Sequence, residues 1–171
     1  GDIHEGFSES SISSWIKLNA TDDNANPDVI TLKQGIGSVQ INASKQLFWD
    51  MFYDASNAVS CVGNKVLNTS QWYYITTVFS DNDNNVSLYI DGELDTSCTI
   101  NYSMLTNANT RLIGNFVDGY NFEGNIAEFS LWDKALTQSE IQSNMASSLN
   151  GNETNLIGYW PLNDGSGTTA K

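Results

Sequence analysis

Basic residues are scarce in this sequence. Its 171 residues include only 7 Lys and Arg against 20 Asp and Glu, which gives a formal net charge of −13. A field of that sign repels phosphate backbones and anionic lipids, so nucleic acids and membrane surfaces are poor partners. It attracts cations, and calcium in particular favours carboxylate and carbonyl oxygens. No apolar run approaches the roughly 20 residues that a membrane-spanning helix needs, so we expect no membrane insertion.

Histidine and cysteine are nearly absent, which limits the available chemistry. A Ser-His-Asp triad would have to use His4, the single histidine. The two cysteines, Cys61 and Cys98, show no Cys-x-x-Cys spacing, which argues against a metal site. We favour one Cys61–Cys98 disulfide formed in an oxidising compartment, with two buried thiols as the alternative. The protein is therefore expected to be secreted or exposed on a cell surface.

Extended helical patterns are missing as well, and short strand-like runs take their place. Runs rich in β-branched and aromatic residues recur about every ten residues, separated by Asn, Asp, Gly and Ser. This spacing indicates an antiparallel sandwich or barrel. One helix is predicted at 137–146, where Thr137 and Glu140 form a capping-box pattern. The predicted strands are 12–18, 29–32, 38–41, 47–53, 72–79, 86–90, 111–116, 126–132 and 156–162. No linker or repeat divides the chain, so residues 1–171 are predicted to form a single domain.

Five motifs from Trp72 onward occur in an order that is informative as a set. They are WYYITTVFSD at 72–81, VSLYIDG at 86–92, IG at 113–114 with FEGNIAEFSLW at 122–132, ALTQSEI at 135–141, and GYWPL at 158–162 followed by GSG at 165–167. Together they resemble the laminin-G-like jelly rolls of the concanavalin-A-like superfamily. The resemblance implies an all-β fold, a two-sheet antiparallel jelly-roll sandwich with one short helix. The family's opening strand is missing or shortened here.

The same resemblance assigns structural roles to several motif residues. Trp72, Leu88, Ile126 and Trp132 are expected to point into the core between the two sheets. Gly114 and Gly124 are expected where the backbone bends or approaches another strand.

Calcium is the cofactor that the resemblance suggests. Around residues 113–114 the chain is similar to pentraxins, a calcium-dependent branch of the superfamily, and Asp118 falls at one of their metal-ligating acids. Phe116 and Val117 replace neighbouring ligands, which argues against a double-calcium site. We predict one calcium site that uses Asp118 together with Asn42 from a facing loop.

A ligand surface is predicted around the same loop. Asn115, Asp118 and Tyr120 combine an amide, a carboxylate and an aromatic ring in a glycine-containing segment. Sugars commonly stack an apolar ring face on an exposed Tyr or Trp, so Trp49 is added as a further candidate. The alternatives are that Asp118 caps a turn and that Trp49 is buried in a central strand.

Catalysis is not predicted. Glucanases on this sandwich resemble one another in carrying Glu-x-Asp-x-Glu or Glu-x-Asp-x-x-Glu on one strand, and Glu93 and Asp95 here lack the second glutamate. We predict an extracellular, non-catalytic, carbohydrate-binding or adhesive module within a larger multidomain protein, with a glycan or an extracellular protein as its partner. The alternatives are a structural or protein-interaction domain and, less favoured, a glycan-active enzyme.

Overall fold

The computed structural model describes residues 8–20, 28–33, 37–52, 58–100, 113–114 and 122–163. These residues form ten strands and one helix. In chain order they are β1 Glu9–Leu18, β2 Asp28–Lys33, β3 Gly37–Ile41, β4 Gln46–Phe52, β5 Ala58–Val66, β6 Trp72–Ser80, β7 Asn85–Ile90, β8 Glu93–Thr99, β9 Gly124–Trp132, α1 Gln138–Ala146 and β10 Leu156–Trp160.

The strands form two antiparallel sheets. Six strands lie in the order β10-β9-β1-β6-β7-β8, and four lie in the order β2-β3-β4-β5. Strand β7 shows the alternation that one buried face requires, with every second residue buried. The prediction of an all-β, two-sheet jelly roll with one short helix is confirmed.

Two strands, β5 and β8, were not predicted. Strand β5 contains Gly63, Asn64 and Lys65, and β8 is largely polar, so neither has ordinary strand composition. Each lies at the end of its sheet, where a strand needs to bury less of its surface. The predicted strand at 111–116 lies outside the described residues except for Ile113 and Gly114, which form a bend.

The main core lies between the two sheets. Its largest fully buried aliphatic side chains include Ile16, Leu18, Ile41, Leu47, Leu88 and Leu131. Full burial of each such side chain contributes roughly 1.5–3 kcal/mol of transfer free energy. Leu88 occupies this core as predicted, and Ile126 packs against it while only partly buried.

A second core lies on the opposite side of the six-stranded sheet, beneath α1. The capping box is present: the Thr137 side chain accepts a hydrogen bond from the Glu140 amide, and the Glu140 carboxylate accepts one from the Thr137 amide. The helix buries Ile141 against Tyr74 and Trp132. We call this outer surface of the six-stranded sheet the helix-bearing face.

Two tryptophans therefore depart from their predicted places. Trp132 is buried beneath α1 instead of between the sheets. Trp72 is 41% exposed, because it lies on the helix-bearing face beyond the part that α1 covers. The motifs predicted the strands correctly, but not the face of the sheet on which each Trp side chain lies.

The disulfide prediction is confirmed. Cys61 on β5 and Cys98 on β8 are bonded, with their Cα atoms 5.7 Å apart. The bond joins the end strand of one sheet to the end strand of the other. Beside it, the Asp95 carboxylate accepts hydrogen bonds from the backbone amides of Asn64 at 2.7 Å and Lys65 at 3.0 Å. The two sheets are thus joined covalently and by hydrogen bonds along this edge.

The two glycine predictions are also confirmed. Gly114 has a φ of 75°, a left-handed conformation, and lies in a bend. A Cβ atom at Gly124 would lie 2.2 Å from the Lys17 carbonyl oxygen. Strand β9 can approach β1 this closely only with a glycine there.

Candidate binding cleft on the helix-bearing face

A cleft of about 220 Å³ lies between the C-terminal end of α1 and the helix-bearing face. Strands β1, β6, β9 and β10 supply one side, and the segment that ends the helix supplies the other. The residues that line it are Trp15, Tyr74, Glu128, Asn144, Met145, Ala146, Ser147, Ser148, Leu149 and Tyr159. Aromatic rings, one carboxylate and several small polar groups thus share one concave surface.

Strand register places two of the aromatic rings together. Trp15 on β1 is paired with Tyr74 on β6, and their ring centroids are 5.3 Å apart at an interplanar angle of 56°. Tyr74 is buried, whereas Trp15 is half-buried, so Trp15 presents more ring surface to the cleft. Burial raises the pKa of Tyr74, with the charge of Glu128 adding to the effect, so its hydroxyl stays neutral.

A β-bulge in β9 places Glu128 in the cleft. Ser13 is paired with Ser130 while Trp15 is paired with Ala127, so two residues of β9 face one residue of β1. Glu128 has a φ of 53°, a left-handed conformation that is uncommon for a non-glycine residue. Its backbone amide donates to the Pro161 carbonyl at 3.1 Å. The bulge allows Glu128 to share the helix-bearing face with Trp132 while Ile126 still packs against the main core.

Tyr159 holds the Glu128 carboxylate in place. Its hydroxyl donates a hydrogen bond to Glu128 Oε2. Burial and this hydrogen bond raise the pKa of Tyr159 to about 12, so the hydroxyl remains a donor at neutral pH. Among the described residues that line the cleft, Glu128 is the single acidic one.

The aromatic surface continues past the cleft. Trp72 and Tyr74 are two residues apart on β6, so they lie about 7 Å apart on the same face. Lys17 is paired with Trp72 on one side and with Asn125 on the other. Its ammonium nitrogen lies 5.2 Å from the centroid of the Trp72 ring, within the range of a cation–π contact. An exposed indole therefore adjoins the cleft.

The predicted loop site lies mainly outside the described residues. Asn115, Asp118 and Tyr120 are not among them. The flanking residues are, and the Phe122 amide donates to the Gly114 carbonyl at 3.0 Å, which brings the two ends of the segment together. Asn42 lies in the turn between β3 and β4, where its side-chain oxygen accepts from the amides of Ser44 at 2.9 Å and Gln46 at 3.0 Å. The joint site of Asp118 and Asn42 stays a prediction.

The structure places Trp49 in the core and not on a ligand surface. It is only 3% exposed, because it points from β4 toward the facing sheet and stacks on Phe79 with centroids 6.4 Å apart. A ring buried in this way has no face available for a sugar. The alternative, that Trp49 is buried in its strand, is confirmed.

Within the described ranges, no group of three or more His, Cys, Asp or Glu side chains is arranged to hold a metal ion. The calcium prediction involves Asp118, which those ranges do not include. No helix in the described part of the chain is long and apolar enough to cross a membrane.

Comparison with known families decides the superfamily. The family model described as "Concanavalin A-like lectin/glucanases superfamily" matches residues 3–142, which is most of the chain. The chain belongs to this superfamily. The laminin-G-like resemblance read from the motifs is thereby confirmed, and so is its distant similarity to pentraxins at the level of structure.

Three solved structures illustrate the relationship. A protein from Bacteroides ovatus ATCC 8483, provisionally assigned to carbohydrate binding, is 19% identical with a TM-score of 0.77, over 98% of this chain and 48% of its own. A heptameric SAP-like pentraxin from Limulus polyphemus is 17% identical with a TM-score of 0.60, over 81% of this chain and 70% of its own. The binding domain of botulinum neurotoxin serotype D is 20% identical with a TM-score of 0.62, over 85% of this chain and 38% of its own.

These similarities define the fold. At such identities they show a shared architecture, and this chain spans about half of the Bacteroides protein and less of the neurotoxin domain. A search of curated proteins by sequence finds no match. The family description names glucanases as well as lectins, and neighbours of 17–20% identity show the fold alone, so the comparisons establish the superfamily and its architecture.

Proposed function

We propose that this chain is a non-catalytic carbohydrate-binding module of an extracellular protein, and that a sugar binds in the cleft beside Glu128. The observation that carries the proposal is the combination of Trp15, Tyr159 and Glu128 in one concavity. Sugar sites join apolar ring faces to a few oriented polar groups. Trp72 extends the site by one more ring that a second sugar unit can stack on.

The polar groups of the cleft suit hydroxyl recognition. Glu128 can accept hydrogen bonds, and the Asn144 side chain can both donate and accept. Ser147 and Ser148 are exposed at the end of α1 and offer hydroxyl groups at the rim. The sandwich holds the aromatic floor rigid, whereas the rim lies on an irregular segment after the helix.

A binding role fits this cleft better than hydrolysis. Both retaining and inverting glycosidases use a pair of carboxyl groups about 5–9.5 Å apart. Among the described residues that line the cleft, Glu128 has no second carboxylate beside it. The Tyr159 hydroxyl holds it as a fixed acceptor, which favours recognition over proton transfer.

The disulfide supports the extracellular part of the proposal. A bond that joins the end strands of two sheets is typical of proteins that fold in oxidising compartments. Since the chain spans about half of the Bacteroides protein, we expect residues 1–171 to be one domain of a larger protein. Calcium bound by Asp118 and Asn42 would assist a second contact at the 115–121 loop, where Asn115 and Tyr120 also lie.

A glycan array, run with and without calcium, tests the proposal. For a ligand so identified, Trp72→Ala should weaken binding by about fivefold to tenfold, the loss expected for one stacked ring. Phe48→Ala is the matched control, because it removes a half-buried ring from the outer face of the four-stranded sheet. Equal losses for the two variants, or no loss for Trp72→Ala, would place the sugar elsewhere.

The loop prediction can be tested on the same ligand. Asp118→Ala and Tyr120→Ala should weaken binding, and only the Asp118 effect should depend on calcium. If Asp118→Ala instead unfolds the domain, the carboxylate caps a turn.

A protein-interaction domain is the second candidate function. Val62 is 42% exposed and Val66 is 58% exposed on β5. Val62 is paired with the half-buried Phe48, so these side chains form an apolar strip on the outer face of the four-stranded sheet. A negative glycan array, together with loss of binding to an identified partner protein in Val62→Lys, would favour this candidate.

A further inference from the structure

We infer that the cleft selects an ammonium group, carried by an amino sugar, over the hydroxyl of a neutral sugar. The inference rests on the proposed function for its choice of a sugar as the carrier. The preference for a positive charge depends only on the residues of the cleft. Three separate features of the cleft favour a cation: a carboxylate, a helix end and aromatic ring faces.

The carboxylate is the first feature. The Tyr159 hydroxyl occupies Oε2 of Glu128, and no described hydrogen bond occupies Oε1. Glu128 is held at this position by a bulge with a left-handed backbone, which is the kind of strained conformation that clusters at functional sites. An ammonium group would form a charge-assisted hydrogen bond here, which is stronger than the bond a neutral hydroxyl makes.

The end of α1 is the second feature. The helix ends at Ala146, and its last turn contains no basic residue. The free carbonyl groups of a helix C-terminus carry about half a negative charge, which a cation normally offsets. Residues 144–149 form the wall of the cleft across from the strands, so this partial charge borders the site. The described residues that line the cleft include no Lys or Arg to supply the cation that both groups favour.

The aromatic rings are the third feature. Trp15 on β1 and Tyr159 on β10 are half-buried and lie on either side of β9, and the buried Tyr74 lies beside Trp15 on β6. The faces of such rings carry negative electrostatic potential and attract ammonium groups within about 6 Å. Lys17 shows that this chain uses such a contact, since its ammonium lies over Trp72 just outside the cleft.

Three lysine side chains of the described residues are engaged elsewhere. Lys134 is paired with Glu140, and Lys65 lies 3.0 Å from Asp91. Neither they nor Lys17 line the cleft. With a net charge of −13 on the chain, the site is more favourable for a cationic ligand than for an anionic one.

The size of the cleft limits what enters it. Its volume of about 220 Å³ is smaller than the roughly 300–1,000 Å³ of sites that enclose a drug-sized ligand. One sugar ring with its amino group therefore fits better than a whole oligosaccharide. Further rings would extend over Trp72, which is the neighbouring exposed aromatic on the same face.

Isothermal titration calorimetry with matched oligosaccharides tests the inference. The probes are a β-linked glucosamine tetrasaccharide, its N-acetylated counterpart, and the corresponding glucose tetrasaccharide, which differ only at one substituent of each ring. We expect the glucosamine compound to bind about tenfold or more tightly than the other two. Glu128→Gln keeps the shape and one acceptor, and should abolish this preference. Tyr159→Phe should reduce it, because the carboxylate loses its hydroxyl partner.

Asp81→Asn is the matched control. It removes the same charge at the far end of β6, about 20 Å from Tyr74, and should preserve the preference. If Asp81→Asn reduces it as much as Glu128→Gln does, the effect comes from overall charge and the inference is wrong. Unfolding midpoints of all variants identify any that fail to fold, and in that case Tyr159→Phe decides.

The outcomes separate the inference from the proposed function. Equal affinity for the glucosamine and glucose compounds would overturn the inference and leave a carbohydrate-binding module. Binding of methylammonium that depends on Glu128, with no oligosaccharide bound, would support the cation site and overturn the sugar. If none of these probes binds, the inference is overturned, and the glycan array alone decides the proposed function.

Discussion

The outer faces of the two sheets differ in what covers them. Helix α1 packs on the six-stranded sheet and buries Trp132 and Ile141 there. On the four-stranded sheet, the described outer residues include a polar cluster in which Ser38 and Gln40 donate hydrogen bonds to Asp50, beside the half-buried Phe48. One face is therefore a second core with a cleft at its end, whereas the other is a polar surface with an apolar strip. In this sandwich, the helix that packs on the six-stranded sheet creates one wall of the concave site.

Loss of the helix contact should have the largest effect. Trp132→Ala removes a buried ring beneath α1 and should lower the free energy of unfolding by about 3–5 kcal/mol. Phe48→Ala on the other outer face should lower it by much less, since that ring is only half-buried. Chemical denaturation of both variants measures the difference. Comparable losses would mean that the two faces are equally important to stability.

Removal of the disulfide should come next. Replacing Cys61 and Cys98 by Ser frees a loop with a sequence separation of 37 residues and should cost about 3–4 kcal/mol on chain-entropy grounds. The bond joins the end strands of the two sheets, so hydrogen exchange should rise most in β5 and β8. If amide protection from exchange instead falls most in the strands beneath α1, this prediction is wrong.

The helix cap should have a smaller effect. Hydrogen bonding to Lys134 and to the Thr137 backbone lowers the pKa of Glu140 to about 2. A lowered folded-state pKa stabilises the protein above the unfolded value of 4.5, and this contribution is lost as pH falls from there toward 2. Because the two side chains of this pair are 37% and 39% exposed and solvent screens their attraction, Glu140→Gln should cost only about 0.5–1 kcal/mol at neutral pH. Its effect should vanish in acid, as unfolding measured at several pH values would show.

Asp50 should show the opposite pH dependence and the smallest effect. Burial raises the pKa of Asp50 above 3.8, although hydrogen bonds from Ser38 and Gln40 oppose the shift. A raised folded-state pKa means that stability declines as pH rises from the unfolded value through the folded one. Asp50→Asn should therefore gain stability relative to the parent protein over that range. If the stability of Asp50→Asn instead falls relative to that of the parent protein as pH rises, the hydrogen bonds to Asp50 outweigh its burial.

One feature of the cleft was detectable in the sequence. In β9 the apolar residues Ile126, Phe129 and Leu131 change from even to odd positions. A regular strand keeps its apolar residues at one parity, so the change indicates an inserted residue between Ile126 and Phe129. That insertion is the bulge at Glu128. The motif comparison treated this segment as ordinary core strand and overlooked it.

The sequence by itself determined the sandwich, the capped helix and the disulfide. Strand composition, a four-residue capping pattern and an even cysteine count are local signals, and each corresponds to a local structural requirement. Only the tertiary structure decided the positions of the tryptophans and the composition of the cleft. Trp49 and Trp72 have similar strand surroundings, yet one faces the opposite sheet and the other faces outward beyond the helix. Trp15, Tyr74, Glu128 and Tyr159 come from four strands, and their meeting depends on strand order, register and where α1 ends, none of which a local pattern encodes.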